Sequence, residues 1–154
     1  MKPRVYIETT VVSYLTARPS RDVVATARQQ ITQNWWKNRR SAFQLVTSRL
    51  TELETGRGDA NAAQQRLAVV QPIPFLEIDL RVDKLALHLI GPGAIPVKAT
   101  EDAVHLATCA VHAVPYLLTW NFRHLANANI HLRLEYLCAQ LGYRLPQICT
   151  PEEL

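Results

Sequence analysis

The chain is predicted to be an α/β domain built on a parallel sheet. Short apolar runs of strand length alternate with segments whose apolar residues recur at helical spacing. No repeat, low-complexity stretch or linker interrupts that alternation, so the 154 residues fit one compact domain with a real core.

The elements follow in order. Val5–Glu8 reads as a strand and Thr10–Thr16 as a short helix. Ser20 is the expected N-cap of a long helix to about Arg40, in which Val24, Ala27, Ile31 and Trp35 share a face. Asp22 in its first turn and Arg39 and Arg40 in its last complement the helix dipole. Ala42–Val46 reads as the second strand. Ser48 is the expected cap of a helix ending near Gly56 or Gly58, and Asp59 caps the next, to about Val70. The prolines of PIPF, 72–75, force an extended segment. Leu80–Ile90 is helical and stops at GPG, 91–93. A helix from about Thr100 to Val114 ends at Pro115, and Tyr116–Trp120 is the third strand. A last helix, about 129–141, ends at Gly142, and Gln147–Cys149 is a short final strand.

Composition narrows the class. Hydrophobic residues make up 48% and charged residues 19%, ordinary for a globular protein, and no apolar run has the length of a membrane span. MKPRVYIE carries no apolar signal core, so a cytoplasmic protein without membrane contact is expected. Cys109, Cys138 and Cys149 form no CxxC pair, which argues against a zinc site or a disulfide framework and for buried thiols. The net charge of +4, mostly arginine, is compatible with a nucleic-acid substrate without establishing one.

Parallel sheets bind ligands beyond the carboxyl ends of their strands. Glu8 lies at such an end, as an acid inside the apolar run VYIETTVV, where it is locally expensive and best explained by a role. Three more oxygen-bearing side chains can meet it: Glu54, late in the helix after the second strand; Asp102, in the first turn of the helix from Thr100; and Asn121, at the end of YLLTWN. Hard oxygens suit magnesium, which also removes the repulsion of clustered carboxylates and activates water toward a phosphodiester. Each of the last three has an ordinary structural explanation as well: Glu54 as a residue of a solvated helix face, Asp102 as a helix-dipole partner and Asn121 as a turn cap. His105, one turn after Asp102, can orient a ligand or contact a phosphate, but reads better as a satisfied residue at the core edge. His124, beside Arg123, is a candidate substrate contact or general base. Asn127 reads as a turn residue, and Lys98, ahead of the Asp102 helix, is placed to meet a phosphate. In NWWKNRR, Trp35 falls on the core stripe and Trp36 is expected exposed, more for a partner than for stacking on RNA.

At these residues the chain resembles the PIN-domain family, and within it VapC-like toxins of bacterial toxin–antitoxin pairs. VYIETTVVSYL, SRLTELETGRGD, EDAVHLATCAV and YLLTWNFRHL resemble the family's four blocks, in order, over nearly the whole chain. The resemblance implies a three-layer fold, a central parallel sheet flanked by helices. It also implies magnesium- or manganese-dependent endoribonuclease activity, an RNA substrate, a cognate antitoxin and a homodimer. Carried across, the first acid is Glu8 with Thr9 as its hydroxyl neighbour. The second is Glu54 counted back from RGD, or Glu52 counted from the following Leu and Gly. The third is Asp102, with Glu101 a poor substitute, and the fourth is Asn121.

Glu8 stands where the family usually has aspartate, and Asn121 where it has an acid. Three acids remain, enough for one cation, with weaker binding than in a four-acid site. These departures leave open a catalytically degenerate module that binds RNA or a protein partner. A phosphohydrolase on a similar sheet fits less well, since only fold analogy suggests it.

Overall fold

A computed structural model describes residues 1–154. Five parallel strands form one sheet in the order β3-β2-β1-β4-β5. They are β1 (Arg4–Ile7), β2 (Gln44–Ser48), β3 (Phe75–Leu76), β4 (Tyr116–Leu118) and β5 (Gln147–Cys149). The seven α-helices are α1 (Thr9–Thr16), α2 (Val23–Asn38), α3 (Arg49–Thr55), α4 (Ala60–Val70), α5 (Leu80–His88), α6 (Thr100–Val111) and α7 (Ala128–Gln140). The α/β class and the parallel sheet expected from the alternation are therefore observed.

The pleat of β1 explains the layers, because successive side chains point to opposite faces. Val5 and Ile7 join Val11, Val12, Trp35, Val70 and Leu118 in one core, beneath α1, α2 and α4. Tyr6 joins Val46, Leu85, Leu106, Leu117 and Leu134 in the other, beneath α5, α6 and α7. Both faces are covered, as parallel sheets require.

Several boundaries differ from the expectations for identifiable reasons. β1 ends at Ile7, and Glu8 is the N-cap of α1, its side chain accepting from the Thr10 N–H. Asp22, not Ser20, caps α2 by accepting from the Ala25 N–H at 2.8 Å; Ser20 Oγ accepts from the Asp22 N–H one step earlier. Arg40–Ala42 forms a 3-10 turn, which moves β2 two residues toward its carboxyl end. Ser48 precedes α3 without capping it, because its hydroxyl turns to Tyr6 Oη, 2.6 Å away. Asp59 caps α4 as expected. The extended segment after Pro74 becomes β3, paired with the end of β2. α6 stops at Val111, where Ala113 takes a positive φ of 52°. Trp35 is buried, while Trp36 is half-buried in the same core rather than exposed, with the Arg40 guanidinium 4.7 Å from its ring centroid. All three cysteines are buried and free, and burial pushes their thiols up. No helix is long and apolar enough to cross a membrane.

The strand order positions the site. The chain runs outward from β1 through β2 to β3, then returns to the far side of β1 as β4. Between β1 and β4 the winding reverses, and a crevice at the carboxyl ends of those strands is where such sheets take ligands.

Candidate metal centre

Glu8 stands at that reversal. Its Oε2 accepts from the Thr10 N–H at 3.0 Å, from the Thr10 hydroxyl, and from Thr119 Oγ1 at 2.8 Å. The same hydroxyls fix the end of β4: Thr10 Oγ1 accepts from the Trp120 N–H at 2.8 Å and Thr119 Oγ1 from the Asn121 N–H at 2.9 Å. Glu8 is 3% exposed. Burial pushes its carboxyl above the usual range, against the opposing pull of His105, Thr10 and Thr119. Its Oε1 receives no hydrogen bond, yet the one buried side-chain polar atom without a partner is Trp35 Nε1, so Oε1 touches solvent.

Glu54, in α3, repeats this pattern. Its Oε1 accepts from Thr9 Oγ1 at 2.6 Å and contacts His105 Nε2 at 2.5 Å, and Glu101 of α6 also acts on this carboxyl. Burial raises this carboxyl, but the bond to His105, its charge, and the Thr9 bond outweigh that and bring it to about 2. His105 is fully buried, which disfavours its charge; Glu54, Glu8 and Asp102 more than compensate, and the imidazole is raised. Ligand atoms of Glu8, Glu54 and His105 lie within 4.8 Å of one another. Glu52 is elsewhere, paired with Arg49 at 2.8 Å. Of the two alternatives for the second acid, Glu54 is the one beside Glu8.

Asp102 lies in the first turn of α6. Burial raises its carboxyl, opposed by the Asn121 amide and by His105 and His124 nearby; Glu54 adds to the rise. Neighbouring Glu101 is instead held at the surface by the Arg57 fork, at 2.9 and 3.1 Å. Asn121 uses its Oδ1 to accept from the Arg123 and His124 N–H groups at 3.2 and 3.0 Å, and so caps the turn after β4. Its carbonyl is committed to the turn and its amide is turned to Asp102. Arg123 is exposed and His124 half-buried in that turn; Lys98 is exposed in the 3-10 turn Val97–Ala99 ahead of α6. Asn127 caps α7, consistent with a turn role.

The donor set fits a hard divalent cation. In both Glu8 and Glu54 the hydrogen bonds from protein donors fall on one oxygen, Oε2 of Glu8 and Oε1 of Glu54, the arrangement of a carboxylate oriented for single-oxygen ligation. Asp102 lies outside the 4.8 Å cluster of Glu8, Glu54 and His105, but close enough for the charges of His105 and Glu54 to act on its carboxyl.

Sequence reasoning missed Tyr6, whose hydroxyl is 2.7 Å from His105 Nδ1, and Arg28, whose guanidinium lies 5.0 Å from the Phe122 centroid and 5.5 Å from that of Trp120. In an apolar run a tyrosine reads as core, and nothing local pairs Arg28 with residues so far along the chain. A cavity of about 320 Å³, lined by Phe122, Leu125, Asn127 and His131 among others, opens beside the Asn121 turn. A larger one, about 540 Å³, lies at the other end of β2, between Trp36, Leu45 and Pro72–Pro74, away from the acids. No protein family's sequence profile matches the chain, and no curated protein matches it in sequence.

Proposed function

We propose that the chain is a PIN-like, magnesium- or manganese-dependent endoribonuclease that hydrolyses RNA phosphodiester bonds. One observation carries this reading: ligand atoms of Glu8, Glu54 and His105 lie within 4.8 Å of one another at the sheet's winding reversal, and Asp102, in the first turn of α6, is near enough to feel the charges of Glu54 and His105. The cation would be held by Glu8 Oε1, Glu54 Oε2 and Asp102. Once bound, it supplies Lewis acidity and cancels the mutual repulsion of the acids. Thr9 steadies Glu54, rather than the first acid. Asn121 orients Asp102 through its amide instead of completing the ligand set. Lys98 and Arg123 would take the phosphates on either side of the scissile bond, and His124, whose charge reaches Asp102, would exchange a proton with the leaving oxygen. The +4 charge favours an RNA backbone, and that contact weakens steeply with salt.

The same family likeness makes the chain the toxin of a toxin–antitoxin pair, with an antitoxin covering the crevice and a second copy completing a homodimer. Exposed Leu80, Leu87, Leu132 and Tyr136 on α5 and α7 support a partner surface. The competing reading, a non-catalytic module that binds RNA or a protein, is favoured by one observation: Glu8 and Asn121 both have complete structural duties, as helix cap and turn cap.

Cleavage of a mixed RNA pool separates the two. With magnesium or manganese the wild type is expected to cut. Chelator and Asp102→Ala each remove the cutting, while Asp102→Ala leaves the unfolding transition in place. No cutting by folded wild type under either metal returns the chain to the binding module.

A further inference from the structure

A continuous line of polar contacts runs from the middle of the protein to the crevice. Ser48 Oγ lies 2.6 Å from Tyr6 Oη, which lies 2.7 Å from His105 Nδ1; His105 Nε2 then meets Glu54 Oε1, on which Thr9 also donates. Ser48, Tyr6 and His105 are each 0% exposed. They come from the end of β2, the middle of β1 and α6, and the line ends on α3.

Packing alone does not call for such a line. Tyr6 belongs to an apolar core, where phenylalanine would fill the space without a hydroxyl to satisfy. His105 shares the buried face of α6 with Ala103, Leu106 and Cys109, where an aliphatic side chain would need no partners. Buried polar groups at both positions make sense where their far end performs a task. That end is a carboxylate oxygen.

The chemistry of the atoms fixes the direction. An ionised carboxylate has no hydrogen to give, so His105 Nε2 carries the proton and donates to Glu54. Nδ1 then faces the Tyr6 hydroxyl, which Ser48 holds from behind. The imidazole is gripped at both nitrogens and packs edge-on to Tyr6, with centroids 5.7 Å apart at 68°. It can neither rotate nor flip without breaking a buried bond. Glu54, which starts from a short helix, is thereby referenced to the two central strands.

We propose that Tyr6 and His105 are positioning residues that hold Glu54 Oε1 and so present Oε2 to a divalent cation. This rests on the metal-dependent reading above. It adds that the ligand geometry is set from inside the core, by a phenol and an imidazole that do not themselves touch the cation. Groups that orient ligands from behind are typically worth about 10–100-fold in metal affinity.

The test is Mn²⁺ binding, followed by calorimetry and by the loss of the free-ion EPR signal, with thermal unfolding recorded on each protein. The proteins are wild type, Tyr6→Phe, His105→Gln, His105→Leu and Asp102→Asn. Tyr6→Phe and His105→Leu are expected to weaken Mn²⁺ binding by about 10–100-fold. They should lower kcat on RNA with little change in KM. His105→Gln, which keeps an N–H donor for Glu54, recovers most of the affinity. Should His105→Leu fail to fold, Tyr6→Phe and His105→Gln, which preserve volume, still decide. Wild-type affinity in all His105 and Tyr6 variants overturns the positioning role alone. So does a loss that follows the fall in Tm, with Gln no better than Leu. A wild type that binds no Mn²⁺, or whose binding Asp102→Asn leaves intact, overturns the metal reading and the positioning role with it.

Discussion

Glu8 serves the fold through one oxygen and, in the proposed nuclease, would serve the cation through the other. Three donors saturate Oε2, tying α1 to the end of β4, while Oε1 faces the crevice. The price is a charge held where burial opposes it. Glutamine keeps an acceptor for the three donors and turns its amide outward, so Glu8→Gln removes the charge without removing the cap. The expected outcome is a metal-free protein whose Tm rises by ~2–4 °C, about 1 kcal/mol for a chain of this size. Mn²⁺ binding and cleavage should both disappear. A thermal melt beside a Mn²⁺ titration checks both halves, and a lower Tm would mean that the ionised form contributes to the fold. This residue was legible in the sequence, because an acid inside an apolar run stands out. Glu54 was legible only by counting, and His105 only as a core-edge histidine. Its partner Tyr6 is 99 residues away, and periodicity carries no information at that distance.

At the scale of elements, boundaries were read where a local rule governs them and missed where a distant contact overrides it. Asp59 caps α4 and Gly142 follows α7, as local chemistry dictates. Ser48 has the right residue type in the right place for a cap, but Tyr6 claims its hydroxyl. β3 is two residues long and exists only because the end of β2 supplies its partners, so no pattern within FL could announce it. The end of α6 is instructive for another reason. The Val114 N–H bonds to the Cys109 carbonyl and the Ala113 N–H to the Ala110 carbonyl, at 2.9 and 3.2 Å, the paired bonds of a Schellman ending. That ending places Ala113 at φ 52°, a region glycine enters without penalty and alanine does not. Ala113→Gly is therefore expected to stabilise the fold by about 1 kcal/mol, read as a higher urea midpoint with an unchanged m-value. A lower midpoint would show that the Ala113 methyl group packs for more than the strain it imposes.

For the molecule as a whole, the clustered titratable groups set the pH of greatest stability in the absence of metal. Glu54 is depressed, so its contribution is full above the ordinary glutamate value of about 4.3 and is lost as pH falls through about 2. His105 is raised, so its contribution is full below about 6.5 and is lost as pH rises through its folded value. Glu8 and Asp102 are raised acids, and they subtract stability as pH climbs from about 4 through their folded values. His105, Glu8 and Asp102 push the optimum to the acidic side of neutrality and Glu54 sets its lower bound, which places it between about pH 4.5 and 6.5. Melts in chelator should show a higher Tm near pH 5.5 than near pH 8, with Mn²⁺ narrowing the gap by neutralising the acids at the higher pH. A Tm that is flat or rises between those values would mean that the buried carboxylates are relieved by solvent rather than by His105.

The pairing of β1 with β4 also has a consequence in time. Glu8 reaches Thr119 across 111 residues of chain. At translation rates of about 5–20 residues per second, roughly 6–20 s separate the synthesis of the two. During that interval a nascent chain has its first carboxylate and the Thr10 donors, but neither the Thr119 hydroxyl that ties it to β4 nor the turn beside Asp102. The crevice around Glu8 therefore cannot form until the chain has been made past Asn121.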